Sequence, residues 1–313
     1  MNNSNKTKVV AVLGATATGK TSVGIQLAQA LNGEVINADS RLFYRGMDIA
    51  TAKPTHDERR DVPHHLLDFL DVDDHFSLAE FLSKARSAVD EVIERGKLPI
   101  VVGGSGQYIW ALIEGWEVPE IEPDLELRAQ LEKQIEESSI ESLVSELRQI
   151  APDVIDSTDL NNPRRVIRAV ERARAGESDG DIGPRKPEDP PFDSYLLGLS
   201  VDREVLHQRV TTRLQSMLVN GWVNEVQTII DAGHADKGRA LSGIGYRQMI
   251  GHLAGDYDLD EAVRLTAVAT NRLIRQQSNW FKRDDDRINW FDMTHEPDRI
   301  EKLIVGEVKS WHD

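Results

Sequence analysis

An α/β fold, a parallel sheet flanked by helices and carrying a helical insertion, is predicted by three features of the 313-residue sequence. Apolar runs without polar alternation recur between amphipathic segments, the pattern of strands buried on both faces. The first of these runs passes directly into a glycine-rich loop and then an amphipathic segment. Charged, helix-forming sequence fills the middle of the chain before an apolar run returns.

In order, KVVAVL at residues 8–13 reads as a buried strand, residues 20–31 as an amphipathic helix, and EVINADS at 34–40 as a second strand ending on Asp39 and Ser40. A helix over 78–95 leads to LPIVVGG, another all-apolar strand, which closes on glycines. LELRAQLEKQIEE, SIESLVSELRQIA and NPRRVIRAVERARAG then give three amphipathic helices, the last with Pro163 where a helix start favours it. GESDGDIGPRKPEDPPFD is a linker or mobile loop by its Gly and Pro content. SYLLGLSVD restores a strand and REVLHQRVTTRLQSML a long helix. The expected organisation is therefore a core over 1–120, a helical insertion domain over 121–189, and the rest of the core over 190–313.

Composition narrows the function classes. No apolar run approaches the roughly 20 residues that cross a bilayer, and MNNSNKTK lacks the apolar segment of a secretion signal, so a cytoplasmic protein is expected. Zero cysteines exclude disulfides, thiolate metal sites and a cysteine nucleophile, which leaves any metal to oxygen or histidine ligands. The adjacent His64 and His65 are weak evidence for such a site and are assigned local structural roles. A net charge of −16 argues against nucleic acid, yet Arg164, Arg165, Arg168, Arg172 and Arg174 crowd one segment, and Arg272, Arg275, Lys282, Arg283 and Arg287 another.

GATATGKT, residues 14–21, sits between the first strand and the first helix. In a loop of this form successive backbone N–H groups point at phosphate oxygens, and the helix adds its positive end. Lys20 supplies a mobile cation and the Thr21 hydroxyl a ligand for Mg2+. The core is thus expected to be P-loop NTPase-like. An ATPase or GTPase would add a second apolar strand ending in an Asp that reaches the metal, and LPIVVGG ends without one. Asp39 is the acid nearest that role, although a lone Asp at a strand end is more often a cap than a catalyst. On these residues alone a small-molecule or nucleoside kinase and a nucleotide-dependent RNA-binding protein both stay open.

DSRLFYRGMDIATAKP at 39–54 makes a resemblance specific. Together with GATATGKT, GGSGQY, NNPRRVIRAVE, GIGYRQM and NRLIRQQSNWFK, in that family's order and over nearly the whole chain, it closely resembles the bacterial tRNA dimethylallyltransferases. The loop departs from the family's usual GPTASGKT at Ala15 and Thr18, and GGSGQY from GGTGLY at Ser105 and Gln107; Gln107 is assigned no role. Eukaryotic relatives carry a zinc finger built from Cys and His, so a chain without Cys fits the bacterial form.

The resemblance implies that Gly14, Ala15, Thr16, Ala17, Thr18, Gly19, Lys20 and Thr21 hold the diphosphate of dimethylallyl diphosphate rather than ATP for hydrolysis. Arg213 resembles the family's diphosphate-binding arginine, and Asp39 takes the part of general base toward the exocyclic N6 of an adenosine beside the anticodon. Ser40, Arg41, Leu42 and Ser105 resemble contacts to the flipped adenosine. Arg164, Arg165 and Arg168 are expected to edge the tRNA backbone, and Ser242, Gly243, Ile244, Gly245, Tyr246 and Arg247, with Arg275, Gln277 and Lys282, to line the other wall. Trp280 and Phe281 are expected in the core more than against a base. The expected partners are tRNA and dimethylallyl diphosphate, with Mg2+ as cofactor, acting on a monomer. Prenyl transfer to free adenine nucleotide is the nearest alternative.

Overall fold

The computed structural model describes residues 6–118, 124–176, 186–234 and 240–313. They fall into two compact units, one of Met1–Gly115 with Asp189–Asp313 and the other of Trp116–Glu188. The expected boundary at 120/121 and residues 177–185 of the expected linker lie outside the described residues, as do residues 1–5 of the N-terminal segment.

The larger unit is built on six strands, β1 (Thr7–Gly14), β2 (Gly33–Asn37), β3 (His64–His65), β4 (Leu98–Val102), β5 (Phe192–Ser200) and β6 (Ile288–Asp292). Their order is β3-β2-β4-β1-β5-β6 and every pairing is parallel. Parallel strands bury both faces, which is why Val9 through Leu13 are fully buried and read as one apolar run. From β1 the chain winds first toward β2 and later toward β5, so the direction of winding reverses beside the carboxyl end of β1. In open α/β sheets this reversal opens the crevice where ligands bind.

The first half of the unit supplies α1 (Lys20–Ala30), α2 (His56–Arg59), α3 (Leu78–Glu94) and α4 (Gly106–Ile113). Gly24 lets α1 press on β4: a Cβ there would meet Val102 Cγ2 at 2.5 Å. The Ser77 hydroxyl accepts from Glu80 N while the Glu80 carboxylate accepts from Ser77 N, a reciprocal cap that fixes the start of α3. Its buried face, Phe81, Leu82, Ala85, Ala88, Val89 and Val92, has helical spacing. Phe81 stacks on Tyr108 of α4 with ring centroids 4.3 Å apart.

The smaller unit holds α5 (Leu125–Glu137), α6 (Ile140–Ile150) and α7 (Pro163–Arg174), with Pro163 at the start of α7. These helices close on their own apolar core, centred on Leu131, Leu143, Leu147, Val166 and Val170. Glu171 is buried among them; Arg128 Nη2 and Arg168 Nη1 donate to its carboxylate at 2.8 and 2.6 Å, and Asp124 N at 2.8 Å. Burial works to raise this carboxyl, and the three donors override it and hold it below the ordinary range.

The larger unit resumes with α8 (Arg203–Val219), α9 (Trp222–Ile229), α10 (Tyr246–Leu253), α11 (Leu259–Trp280) and α12 (Pro297–His312). Two strands depart from the sequence reading. β3 is only two residues long, too short for any periodicity, and it gives the two histidines structural work: His65 Nε2 bonds Glu34 Oε2 at 2.7 Å and His64 Nδ1 bonds Val62 O at 2.8 Å. β6 is an edge strand with only Ile288 buried, so it lacks the apolar run of its neighbours. Among the described residues no helix is long and apolar enough to cross a membrane.

Candidate phosphate and acceptor site

The loop after β1 is shaped by positive backbone angles at Gly14 (φ 144°), Ala17 (φ 67°) and Gly19 (φ 101°). A Cβ at Gly14 would also meet the Leu199 carbonyl oxygen at 2.5 Å, so only glycine fits there. Ala17 holds a left-handed conformation that a non-glycine residue adopts at a cost, a form of strain found where ligands are clamped. Thr18 Oγ1 and Lys20 Nζ both donate to the Ala15 carbonyl, at 2.9 and 2.7 Å. Arg209, from α8, braces the loop from outside, donating to Ala17 O at 3.4 Å and to Met293 O at 2.7 Å.

Asp39 lies two residues beyond the end of β2, in a turn that Asn37 builds. The Asn37 side chain accepts from Asp39 N at 2.9 Å and donates to Asp39 O and Leu66 O at 3.1 and 2.9 Å. The Asp39 carboxylate itself accepts from Arg41 N at 3.0 Å. Ser105 Oγ accepts from Ser40 N at 3.2 Å, which ties this turn to the end of β4. Gly103 makes that approach possible, since a Cβ on it would lie 2.3 Å from the Ala38 carbonyl oxygen.

Loop and turn face one cavity of about 820 Å³. Thr16, Ala17, Gly19, Lys20 and Thr21 line one side, and Asp39, Ser40, Arg41, Leu42 and Ser105 another. Arg213 enters from α8 beside Val210, Leu214 and Met217, while Ser242, Ile244 and Tyr246 complete the wall. Burial lowers the Lys20 ammonium to about 8; Asp39 pulls it back up and Arg213 pushes it further down. Burial also lowers Arg213, again against the pull of Asp39. Two cations and one carboxylate thus sense one another across the cavity, and among the described residues neither cation is closed into an ion pair.

Other expected residues sit differently. Gln277 is 5% exposed, and both ends of its amide are bonded within the protein: Oε1 accepts from Thr16 N at 2.8 Å and Nε2 donates to Gly104 O at 3.0 Å. The Tyr246 hydroxyl donates to Glu225 Oε1 at 2.6 Å, and the other Glu225 oxygen accepts from Asp48 N and Ile49 N at 2.9 and 2.7 Å. Gly243 and Gly245 are buried, and a Cβ on Gly243 would come within 3.4 Å of the Arg41 guanidinium. Arg247, Arg275 and Lys282 are exposed. Gly14, Ala15, Thr18 and Arg275 border a second cavity. Phe281 is buried at 3% exposure, whereas Trp280 is 42% exposed and borders the large cavity, its ring covering Gly106. In the smaller unit, Arg164 and Arg165 are exposed on α7, and Arg168 is engaged with Glu171.

Sequence reasoning passed over Asn37, Arg209 and Glu225. Asn37 had a local signal, an Asx side chain two residues before the carboxylate it positions. Arg209 and Glu225 act across long sequence separations and had none.

A family model described as IPP transferase matches residues 42–284. A tRNA dimethylallyltransferase of Thermomicrobium roseum is 42% identical over 301 residues, covering 96% of this chain and 90% of its own length. One from Corynebacterium diphtheriae is 39% identical, covering 92% and 95%. The crystal structure of a tRNA isopentenylpyrophosphate transferase from Bacillus halodurans superposes with a TM-score of 0.73 at 36% identity, covering 97% of this chain and 96% of that one. A eukaryotic dimethylallyltransferase solved acting on tRNA gives a TM-score of 0.81 at 26% identity, covering 95% and 77%. With a phosphate loop, a turn-held carboxylate and Arg213 around one cavity, and with this likeness along nearly its whole length, the chain belongs to the tRNA dimethylallyltransferase family.

Proposed function

We propose that the chain transfers the dimethylallyl group of dimethylallyl diphosphate to the N6 amine of the adenosine 3′ of the anticodon in tRNA, releasing diphosphate. The observation that carries this reading is the convergence of Lys20, Arg213 and Asp39 on the cavity beside the phosphate loop.

An allylic diphosphate reacts by loosening its C–O bond. Positive charge spreads over the allyl group while negative charge gathers on the departing oxygens. The loop N–H groups, Lys20 and Arg213 face that growing charge, and because both cations are already desolvated they need little reorganisation as it develops. Of the loop residues 14–21, Thr16, Ala17, Gly19, Lys20 and Thr21 face the large cavity and form the diphosphate cradle, while Gly14, Ala15 and Thr18 support it from the other side. Asp39 accepts the N6 proton as the new C–N bond forms, and its turn, fixed by Asn37, keeps the carboxylate aimed while the amine attacks. Ser40, Arg41, Leu42 and Ser105 hold the turned-out adenine beside it.

The donor set suits Mg2+ shared with the substrate. Among the described residues no group of three or more His, Asp or Glu converges on one point, so a cage made only of protein is not available. Thr21 borders the cavity, its hydroxyl without a partner among the described residues, and Mg2+ commonly takes one or two protein oxygens with substrate phosphates and water. The ion would neutralise charge on the leaving diphosphate.

The smaller, helical unit presents Arg164 and Arg165 to the RNA backbone, and Arg247 and Lys282 do so from the core unit, whereas Arg275 borders the second cavity. A single chain supplies loop, carboxylate and arginine, which fits a monomer acting in the cytoplasm on tRNA. The test is incubation with Mg2+, labelled dimethylallyl diphosphate and either unmodified tRNA, AMP or ATP. Label in tRNA alone is expected; label only in AMP overturns the acceptor, and ATP turnover without transfer overturns the reaction.

A further inference from the structure

The phosphate loop has two faces. Thr16, Ala17 and Lys20 look into the large cavity, whereas Gly14, Ala15 and Thr18 border a second one of about 440 Å³ at the carboxyl ends of β1 and β5. Gln277 belongs to both walls, and its side chain is the partition between them.

The charged side chains on the second cavity all have one sign. Arg203 comes from α8, which also brings His207, Arg275 from α11 and Arg283 from the segment after it, and among the described residues no carboxylate borders the space. This is a chain with 53 acidic residues against 37 Lys and Arg, so basic side chains without acids are not what composition alone would place there. Among the described residues none of the three arginines forms an ion pair. The Arg283 guanidinium lies over the Trp290 ring at 4.5 Å from its centroid. Asp292 senses Arg283 from a distance and forms no ion pair with it; its carboxylate accepts from the Thr294 N–H and hydroxyl at 2.9 and 2.5 Å and stays outside the lining of the cavity. Arg203, Arg275 and Arg283 are exposed at the rim of this concavity, and an anion seated there accepts from all three without meeting a carboxylate in its lining. Arginine forks match phosphate oxygens in shape as well as sign.

We propose that this second cavity is an anion site that takes free diphosphate. The inference rests on the proposed donor, because the ligand is the group that donor releases. Gln277 lines both cavities and the loop residues divide between them, and an acceptor adenosine held by Ser40, Arg41 and Leu42 as proposed would close the large cavity from the Asp39 side. A site behind the loop therefore gives the product a place to bind while the RNA is still seated. Occupancy there puts negative charge next to the cradle and weakens binding of the next donor.

The test is calorimetric titration of inorganic diphosphate with Mg2+ into the full chain without tRNA. Two equivalents are expected in the wild type and one in the Arg203→Gln/Arg283→Gln variant, whose second equivalent binds at least about tenfold more weakly. Lys20→Ala removes the other equivalent and leaves the one at the arginines. Should the double variant melt early, Arg203→Gln alone and the Arg203→Lys/Arg283→Lys pair give the same reading, with the lysines keeping part of the affinity. A single equivalent in the wild type, or two undiminished in the double variant, overturns the site. Weakened tRNA binding with diphosphate binding intact assigns the arginines to RNA and overturns it equally. Failure of the donor reading shows separately, as Lys20→Ala leaving diphosphate binding unchanged.

Discussion

Gln277 Oε1 accepts from the Thr16 N–H at 2.8 Å while its Nε2 donates to Gly104 O at 3.0 Å, so one side chain from α11 joins the phosphate loop to the end of β4. Gly104 leaves the room for it, since a Cβ there would sit 2.4 Å from Gln277 Nε2. Replacing Gln277 with Leu strips partners from two backbone groups at a buried position, each worth about 1–3 kcal/mol. A loosened Thr16 also misplaces the cradle. The expected result is a KM for the diphosphate donor raised at least about tenfold, together with a lowered melting temperature. A melting shift with donor KM unchanged would confine Gln277 to folding.

Lys20 gives the donor reaction a basic limb. Burial lowers its ammonium to about 8, with Asp39 opposing and Arg213 adding to the fall. As pH rises through 8 the free enzyme loses this positive charge, so kcat/KM for the donor should decline above that point. Lys20→Arg, which stays charged, moves the decline upward whatever it costs in rate. A pH profile in which both proteins share one limb would place the titrating group elsewhere.

The motifs legible in the sequence were those whose parts are close along the chain. The loop residues at 14–21 form one turn whose chemistry is carried by backbone and local side chains, and β1, β2, β4 and β5 are buried on both faces, so their apolar runs betray them. What stayed hidden is carried by distance. Gln277 and Thr16 are 261 residues apart, Arg209 and Ala17 are 192 apart, and Glu225 reaches back 176 residues to the Ile49 N–H. No periodicity reports such pairings, because the fold must form before they exist. β6 was hidden for another reason: an edge strand half open to solvent has no continuous apolar run.

Asp39 and Asn37 separate chemistry from positioning. Asp39→Ala removes the proposed proton acceptor, and single-turnover transfer should fall at least about a hundredfold while donor binding is largely kept. Asn37→Ala leaves the carboxylate but releases the turn, so transfer falls less and a raised pH restores none of it. Near-normal turnover in Asp39→Ala would remove that residue from the reaction.

The arginines of α7 do not all report the same thing. Arg168 Nη1 donates to the buried Glu171 at 2.6 Å, so its loss exposes a packing defect in the smaller unit as well as any loss of RNA contact. Arg164 and Arg165 are exposed, and among the described residues Arg165 has only the distant Asp159 at 3.8 Å. In Arg164→Gln/Arg165→Gln, the slope of log affinity for tRNA against log salt should fall by roughly two with melting unchanged. An unaltered slope would leave these two arginines facing solvent.

Glu34 makes the sheet edge acid-sensitive. Its side chain on β2 is 3% exposed and accepts from Arg95 Nη2 and His65 Nε2, each at 2.7 Å, and from Lys97 Nζ at 3.1 Å. Burial pushes this carboxyl up, but the donations of Arg95, His65 and Lys97 override it and bring it down from 4.5 to about 2. A carboxyl depressed by folding contributes stability that is fully present above its unfolded value, and that contribution is lost as pH falls toward the folded one. The loss therefore runs from about pH 4.5 to about pH 2 and amounts to roughly 2–3 kcal/mol at most. Glu34→Gln removes the titrating group, so it should melt earlier than wild type at pH 7 and lose less of its stability on acidification. Melting curves from pH 7 to pH 2 decide it: parallel declines in the two proteins would assign the acid sensitivity to other carboxylates.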